Sequence, residues 1–100
     1  MLRSRLGLDE IFRSIAPNVY FQPPESKKLN YPCIIYQLDD YEVMHADNKP
    51  YAVTKCYQAT VVDKDPDSGI KDEVALLPYC RYIRHFTHDN LNHDVFEIYY

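Results

Sequence analysis

The stretch Tyr51–Val62, which reads YAVTKCYQATVV, is the clearest strand in the sequence and decides the fold class. Seven of its twelve residues are β-branched or aromatic, and the stretch contains neither glycine nor proline. Residues of these types fit the pleated, half-buried surface of a sheet. Because twelve residues make a long strand, we expect this one to be twisted or bent.

Prolines mark out two more strands before this one. Cys33–Tyr36 is apolar and follows Pro32, and the first position of a strand is where the missing N–H of proline does least harm. Val19–Phe21 is also strand-like but is soon halted by two consecutive prolines, which predicts an edge strand or a loop. The segment Asp39–Pro50 is polar and rich in turn formers, so we expect a hairpin connection there.

The chain has two helical patterns. In the first, apolar residues recur at helical spacing and Pro17 ends the pattern, which predicts a helix over Ser4–Ala16. These apolar residues are Leu8, Ile11, Phe12 and Ile15. The second pattern, IKDEVALL, follows the loop DKDPDSG and is stopped by Pro78. Asp67 or Ser68 is its expected N-cap, since such side chains accept hydrogen bonds from the first turn.

Two further strands, Tyr79–Phe86 and Asp94–Tyr100, are joined by the turn THDNLNH. The resulting order is α-β-β-β-α-β-β, with the first short strand optional. Hairpin strands with helices at intervals predict an α+β fold, in which an antiparallel sheet of four or five strands is flanked by the two helices. A chain of 100 residues has room for one hydrophobic core, so we expect a single domain over residues 1–100.

Composition excludes several classes of partner. The net charge is −4 and the eleven Lys and Arg residues are scattered, which argues against affinity for nucleic acid. No apolar run approaches the roughly 20 residues of a membrane span. The N-terminus MLRSRLGLDE lacks the apolar core of a signal peptide, so we expect a soluble intracellular protein. Ten tyrosines suit half-buried sheet faces and protein interfaces.

The acidic loop DKDPDSGIKDEV partly matches a calcium-binding loop, with Asp63, Asp65 and Asp67 at its first, third and fifth positions. The match fails where geometry is most demanding. Ser68 stands where the sharp turn needs glycine, and Val74 stands where a bidentate glutamate is needed. We therefore interpret the segment as a solvated acidic loop that leads into a helix, and expect no metal there.

Histidines and acids cluster in HFTHDNLNHD, where they could ligate zinc. They are His85, His88, Asp89, His93 and Asp94. The helical HExxH spacing is absent, although His85 and His93 could meet across the predicted hairpin and would then need further ligands. A polar turn is the preferred interpretation. The alternative is a small intracellular metal-dependent or regulatory binding module that uses this His85–Asp94 turn.

The three cysteines, Cys33, Cys56 and Cys80, include no CxxC pair and each lies in an apolar strand pattern, so we expect buried, unpaired thiols. The best catalytic pair would be Cys80 with His93, but a nucleophilic cysteine needs an electropositive, partly open setting. We find no GxSxG nucleophile motif, phosphate loop or pair of catalytic carboxylates. The prediction is a protein that is not an enzyme and has no cofactor.

Six phrases of the sequence resemble a family of small tail-completion, or tail-to-head joining, proteins of long-tailed bacteriophages, which are similar to tail terminators. The phrases are NVYFQPPES, YPCIIY, NKPY, VVDKDPDSGIKDE, LPYCRY and DNLNHDVFEIYY, and they occur in this order across Asn18–Tyr100. The resemblance implies an α+β fold and a structural protein of the virion that forms a hexameric ring. The ring would sit at the head-proximal end of the tail tube and join it to the head.

The resemblance also implies the partners, which are other copies of the chain, the major tail tube protein and the head-completion or connector protein. The protein would assemble in the host cytoplasm and remain in the virion tail. DNA would pass through the ring without specific binding, which an acidic lumen would favour by repelling phosphates. Two acidic sets in expected loops are candidates for the lumen or for subunit contacts. They are Asp39, Asp40 and Glu42, and Asp63, Asp65 and Asp67. The alternative is that both sets only keep a small domain soluble.

Overall fold

The computed structural model describes residues 4–100, apart from the side chains of Pro50 and Tyr51. The elements follow in the predicted order, α-β-β-β-α-β-β. They are α1 (Arg5–Ile15), β1 (Asn18–Phe21), β2 (Cys33–Ala46), β3 (Lys49–Asp63), α2 (Ile70–Ala75), β4 (Cys80–His88) and β5 (Leu91–Tyr99). The predicted α+β class is confirmed.

The five strands form one sheet in the order β1-β2-β3-β5-β4. All neighbours are antiparallel except β1 and β2, which run parallel with Asn18 opposite Cys33. The sheet is therefore mostly antiparallel, as predicted, with one parallel pair at an edge that the sequence did not indicate. The segment between Phe21 and Cys33 carries the chain back to the start of the sheet, which lets β2 run in the same direction as β1. The prediction that the first strand lies at an edge is confirmed.

Helix α1 begins and ends close to the predicted bounds. The side chain of Ser4 caps it by accepting a hydrogen bond from the backbone N–H of Leu6, at 3.2 Å. The N-cap of helix α2 is Gly69. The expectation that Asp67 or Ser68 would be the N-cap is therefore wrong. The Ser68 hydroxyl still accepts a hydrogen bond from the N–H of Ile70, two positions further on, at 3.3 Å.

Both helices pack on one face of the sheet and enclose the hydrophobic core. The core contains Leu8, Phe12, Ala16, Val19, Ile34, Tyr36, Tyr57, Ala59, Val61, Val74, Phe96 and Ile98. Tyr36 lies at its centre, fully buried, with its ring centroid 5.2 Å from that of Phe12 and 4.9 Å from that of Phe21. Its hydroxyl donates a hydrogen bond to Asp9 at 2.5 Å and accepts one from Arg5 at 3.0 Å. The core therefore has a polar contact where α1 crosses β2.

The segment Asp39–Pro50, expected to be a polar connection, is instead mostly strand. β2 continues to Ala46 and β3 begins at Lys49, so that only Asp47 and Asn48 form the turn. Both turn residues have positive φ, 53° and 61°, as a tight two-residue hairpin requires, and Asp and Asn tolerate that region better than most residues. The predicted hairpin is present, but its connection is two residues long and the rest of Asp39–Pro50 belongs to its strands.

The extended hairpin projects beyond the rest of the sheet. β1 ends opposite Tyr36 and β5 ends opposite Cys56, so the chain beyond these points is a two-stranded ribbon. We call it the arm, and it consists of Asp39–Ala46 of β2 and Lys49–Lys55 of β3. The projection accounts for the elongated shape of the molecule, which measures 51 × 29 × 23 Å.

The second hairpin joins β4 to β5 at the opposite edge of the sheet. Its turn is also an Asp-Asn pair, Asp89 and Asn90, with φ of 53° and 62°. The turn predicted over THDNLNH is therefore shorter than expected, and the strands are longer. Three register irregularities lie in edge segments: between Leu38 and Asp40 and between Met44 and His45 in β2, and between Tyr82 and Arg84 in β4.

Candidate functional site

The two acidic sets lie about half the length of β3 apart, one beside its middle and the other at its end. Asp40 is paired with Cys56 in the arm, whereas Asp63 is the last residue of β3, seven positions further along. At the rise of an extended strand this separates the sets by roughly 23 Å. They therefore belong to two different surfaces of one molecule.

The first set is not in a loop, as was expected. Asp39, Asp40 and Glu42 lie in the arm portion of β2, and all three are exposed. Large apolar side chains that are also exposed lie next to these acids. Among them are Tyr41, which is 52% exposed, and Met44, which is 45% exposed. The arm thus presents acids and large apolar groups together to solvent. Exposed apolar groups that lie close together mark interaction sites more often than single ones do.

The second set lies where β3 ends and the predicted loop begins. The carboxylate of Asp63 accepts a hydrogen bond from the N–H of Asp65, and that of Asp65 accepts one from the N–H of Asp67, each at 2.9 Å. These are local turns in which the side chain stands in for a backbone acceptor. Asn92 of β5 donates to the backbone oxygens of Asp63 and Lys64 and so fixes the loop to the sheet. Asp63 is nearly buried, and Asp65 and Asp67 are exposed.

The histidines of the β4–β5 hairpin do not come together. His85 is paired with Asp94 and His93 with Phe86, so the two histidines lie on opposite faces of the sheet. His85 Nδ1 lies 2.9 Å from Asp94 Oδ1, and the His93 ring stacks on Phe86 with centroids 4.6 Å apart. The expectation that His85 and His93 could meet is wrong. A metal site in this turn could therefore not use His85 and His93 together.

Two of the three cysteines are buried as predicted, and Cys80 is half-buried. Burial, with the nearby charge of Asp63, raises the pKa of Cys33 to about 12, and burial also raises the pKa of Cys80. Cys80 lies opposite Ile98 at one end of β4, whereas His93 lies opposite Phe86 near the other end. The strand register therefore separates the candidate pair Cys80 and His93.

A cluster that the sequence did not reveal joins Asp39, Cys56 and Glu97, whose potential ligand atoms lie within 4.8 Å of one another. Burial raises the pKa of the Cys56 thiol, and the charges of Glu97 and Asp39 raise it further. A metal ligand or nucleophile would have to be the thiolate, which this setting disfavours. Glu97 also accepts a hydrogen bond from Arg81 at 2.6 Å, which balances part of its charge. The cluster is best interpreted as a polar contact between three strands.

Strand β4 forms the other long edge of the sheet. Its residues from Arg81 to His88 are all exposed, and they include Arg84 and no acid. Tyr82 and Phe86 expose apolar surface in the same strand. This edge is therefore the basic counterpart of the acidic β2 side of the arm.

An open groove of about 510 Å³ lies at the base of the arm, on the β3 side. Its walls include Val53, Thr54, Tyr79, Tyr99 and Tyr100. Three of the lining residues are tyrosines, which give a large apolar area with polar tips, a composition typical of protein contacts. The groove is open rather than enclosed, which suits a protein segment better than a small molecule.

No family model matches the chain, and no curated protein matches it. Neither helix described within residues 4–100 is long and apolar enough to cross a membrane.

Proposed function

We propose that the protein is a structural component of a bacteriophage tail, a tail-completion or tail terminator protein that joins tail to head. In this role several copies form a ring, hexameric in the resembled family, at the head-proximal end of the tail tube. The observation that carries the proposal is the arm, a two-stranded ribbon that extends past the sheet and exposes apolar side chains. The six motifs across Asn18–Tyr100 that resemble the phage tail-completion family are the reason for proposing a phage tail.

The arm supports an assembly role because a two-stranded hairpin is at best marginally stable in water. None of the core residues named above lies in the arm. The arm therefore needs stabilising contacts from outside the hydrophobic core. A neighbouring protein can supply it by covering Tyr41, Val43 and Met44, which are exposed in the free chain. The proposed neighbours are other copies of the chain, the tube protein and the head connector.

The acidic sets fit a ring through which DNA has to slide. A basic lumen would bind phosphate, whereas acids repel it over a Debye length of about 8 Å at physiological salt. The arm acids lie beside the middle of β3 and the Asp65–Asp67 loop follows its end, so one set can face the channel while the other contacts a subunit or the tube. This division is part of the proposal.

Deletion of the gene tests the proposed function directly. We expect filled heads and tails to accumulate unjoined, or tails of irregular length, because nothing would terminate the tube and present it to the head. Electron microscopy of lysates and plaque counts measure this result. The control is the same deletion with the gene supplied from a plasmid. Infectious particles of normal form in the uncomplemented strain would contradict the proposal.

Reversing the loop charges tests the lumen assignment. Asp65→Lys with Asp67→Lys should leave folding nearly unchanged, since exposed charges contribute little to stability. If this loop lines the channel, the pair should slow genome ejection or block joining. Asp63 is left in place because it is nearly buried.

The matched control is Asp65→Asn with Asp67→Asn, which removes charge but keeps an oxygen that can accept the turn hydrogen bond. The corresponding lysine variant at Asp40 and Glu42 examines the arm. Parental ejection rates in both lysine variants, measured by DNA release from purified particles, would rule out an acidic lumen.

A further inference from the structure

We propose that the β2 side of the arm pairs, strand to strand, with the β4 edge of a second copy of this chain. The inference deepens the proposed function and rests on its self-association alone, not on the phage context. It names the two surfaces that meet, which are Asp39–Ala46 of one copy and Cys80–His88 of the next. Three independent features of these surfaces lead to it.

The first feature is the largely open backbone of both segments, although the N–H of Tyr41 donates to the carboxylate of Asp40. Within residues 4–100, Asp39–Ala46 is paired with β3 on one side, and β1 ends before this segment begins. β4 is paired with β5 on one side and is the last strand of the sheet. An exposed edge presents a row of N–H and C=O groups that can pair with another chain. The two segments have similar lengths, eight and nine residues.

The second feature is strand direction. β2 runs against β3, β3 against β5, and β5 against β4, so β4 runs opposite to β2. Through β5, β4 is level with Tyr57–Asp63 of β3, whereas the arm lies beyond that level. When a second copy lies beside the first in the same orientation and is shifted along the strands past the end of β1, its β4 meets the arm part of β2 as an antiparallel neighbour. The helices of both copies then lie on the same face of one continuous sheet. This is a head-to-tail contact, which repeats from copy to copy and closes into a ring when the rotation allows.

The third feature is the match of side chains on the face away from the helices. Residues directly opposite one another share a face, so Asp40 lies on the face of its partner Cys56, outside the helix-covered core. Glu42 lies two positions further along the same face. On β4, Arg84 is opposite Val95, which is also outside that core. Acids of one copy and arginine of the next therefore fall on one face of the joined sheet.

The other face matches in apolar character. Tyr41 and Val43 of the arm point to the helix side, as does Tyr82 of β4, which is opposite Phe96 of the core. All three are substantially exposed in the single chain. Cross-strand contacts between aromatic and β-branched side chains stabilise antiparallel pairs. One contact would cover these groups on both edges at once.

Charge selects the β4 edge of a second copy over a second acidic arm. Asp39–Ala46 contains three acids and no Lys or Arg. Cys80–His88 contains no acid and two arginines, of which Arg81 is paired with Glu97 and Arg84 remains to face a second copy. Opposite charges across an interface favour the matched partner and penalise like-charged ones. The β3 side of the arm is also basic, but its short open segment adjoins the tyrosine-lined groove. The experiment therefore has to distinguish a contact through the β3 side of the arm from the proposed contact through its β2 side.

A charge-swap experiment on the purified full chain tests the pairing. The arm variant is Asp40→Lys with Glu42→Lys, and the edge variant is Arg84→Glu with His88→Glu. Arg81 is kept because it binds Glu97 within its own chain. Each variant alone should weaken self-association on the order of a hundredfold, because like charges would then face one another. Sedimentation velocity over a dilution series at low salt measures the change.

Two rescues make the test specific. An equal mixture of the two variants should associate as the unmodified protein does, because each contact in an alternating assembly then joins opposite charges. A single chain that carries all four substitutions should also regain self-association. All four positions are exposed, so circular dichroism should show the parental fold in every variant.

Failure of either rescue overturns the pairing, as does the absence of self-association by the unmodified chain at any concentration examined. A loss caused by Lys49→Glu with Lys55→Glu but not by the edge variant would assign the contact to the β3 side instead. These outcomes are separate from the gene deletion. If deletion of the gene impairs joining but the rescues fail, the tail role is supported and the proposed interface is wrong.

Discussion

Shortening the arm should leave the domain folded and abolish its assembly. In the proposed variant an Asn-Gly pair replaces Glu42–Thr54 and closes a two-residue turn between Tyr41 and Lys55, which face each other in the strand register. None of the core residues lies in the removed segment, so we expect the melting temperature to change by only a few degrees. Self-association and the ability to complement a gene deletion should both be lost.

A full-length variant, Asn48→Gly, provides the matched control, because it keeps the arm and favours the same type of turn. It should assemble and complement as the unmodified chain does. Circular dichroism melting, sedimentation velocity and plaque counts give the three measurements. Normal complementation by the shortened chain would show that the arm has no part in assembly, and with it the main support for the proposed function would be removed.

Replacing the central tyrosine should destabilise the whole domain. Tyr36→Ala removes a fully buried ring that contacts Phe12, Phe21 and Tyr57, and it leaves Asp9 without its hydroxyl donor. Truncation of a buried aromatic residue costs about 3–5 kcal/mol, a large part of the roughly 5–15 kcal/mol that stabilises a typical domain. Urea denaturation should show a midpoint shifted far towards zero denaturant.

Tyr36→Phe separates the ring from the hydroxyl. It keeps the packing and removes the hydrogen bond to Asp9, so we expect a loss of about 2 kcal/mol, as for other hydrogen bonds to charged groups. An equal loss in the phenylalanine and alanine variants would contradict the view that the ring packing dominates.

The phenylalanine variant should also change the response to acid. Burial opposes ionisation of Asp9, but hydrogen bonds from Tyr36 and Arg13 and the charge of Arg5 outweigh it, so the pKa of Asp9 lies below its usual value. A lowered pKa in the folded state adds stability above the unfolded pKa, and this stability is lost as pH falls through the folded value. The difference between the parental chain and Tyr36→Phe should therefore be largest near neutral pH and smaller in acid.

The order and type of the elements could be predicted because they depend on local patterns. The apolar spacing of α1, the β-branched run of β3 and the prolines at Pro17 and Pro78 each act within a few residues. The parallel pairing of β1 could not be predicted in this way, since it depends on where a long connection returns the chain. Orientation is a property of the whole sheet and leaves no local trace.

The sequence did not indicate the arm, because the acids within its first strand are typical of a loop. Tyr41 and Val43 recur at the spacing of a strand, but Asp39, Asp40 and Glu42 around them suggest a loop. The Asp-Asn pairs at 47–48 and 89–90 were the available signal, because both supply residues that tolerate positive φ at a two-residue turn. The Asp39, Cys56 and Glu97 cluster had no such signal, since it depends on the register of three strands.

The irregularities in the two edge strands have a consequence for the free chain in a crowded cell. A bulge twists an edge locally and interrupts the regular row of hydrogen-bonding groups, which protects exposed strands from indiscriminate aggregation. β2 is irregular beside Asp39 and β4 is irregular beside Ile83, so neither edge offers a long flat template to an arbitrary unfolded strand. The bulges thus disfavour pairing with unfolded chains, while both edges stay open to a strand of matching shape.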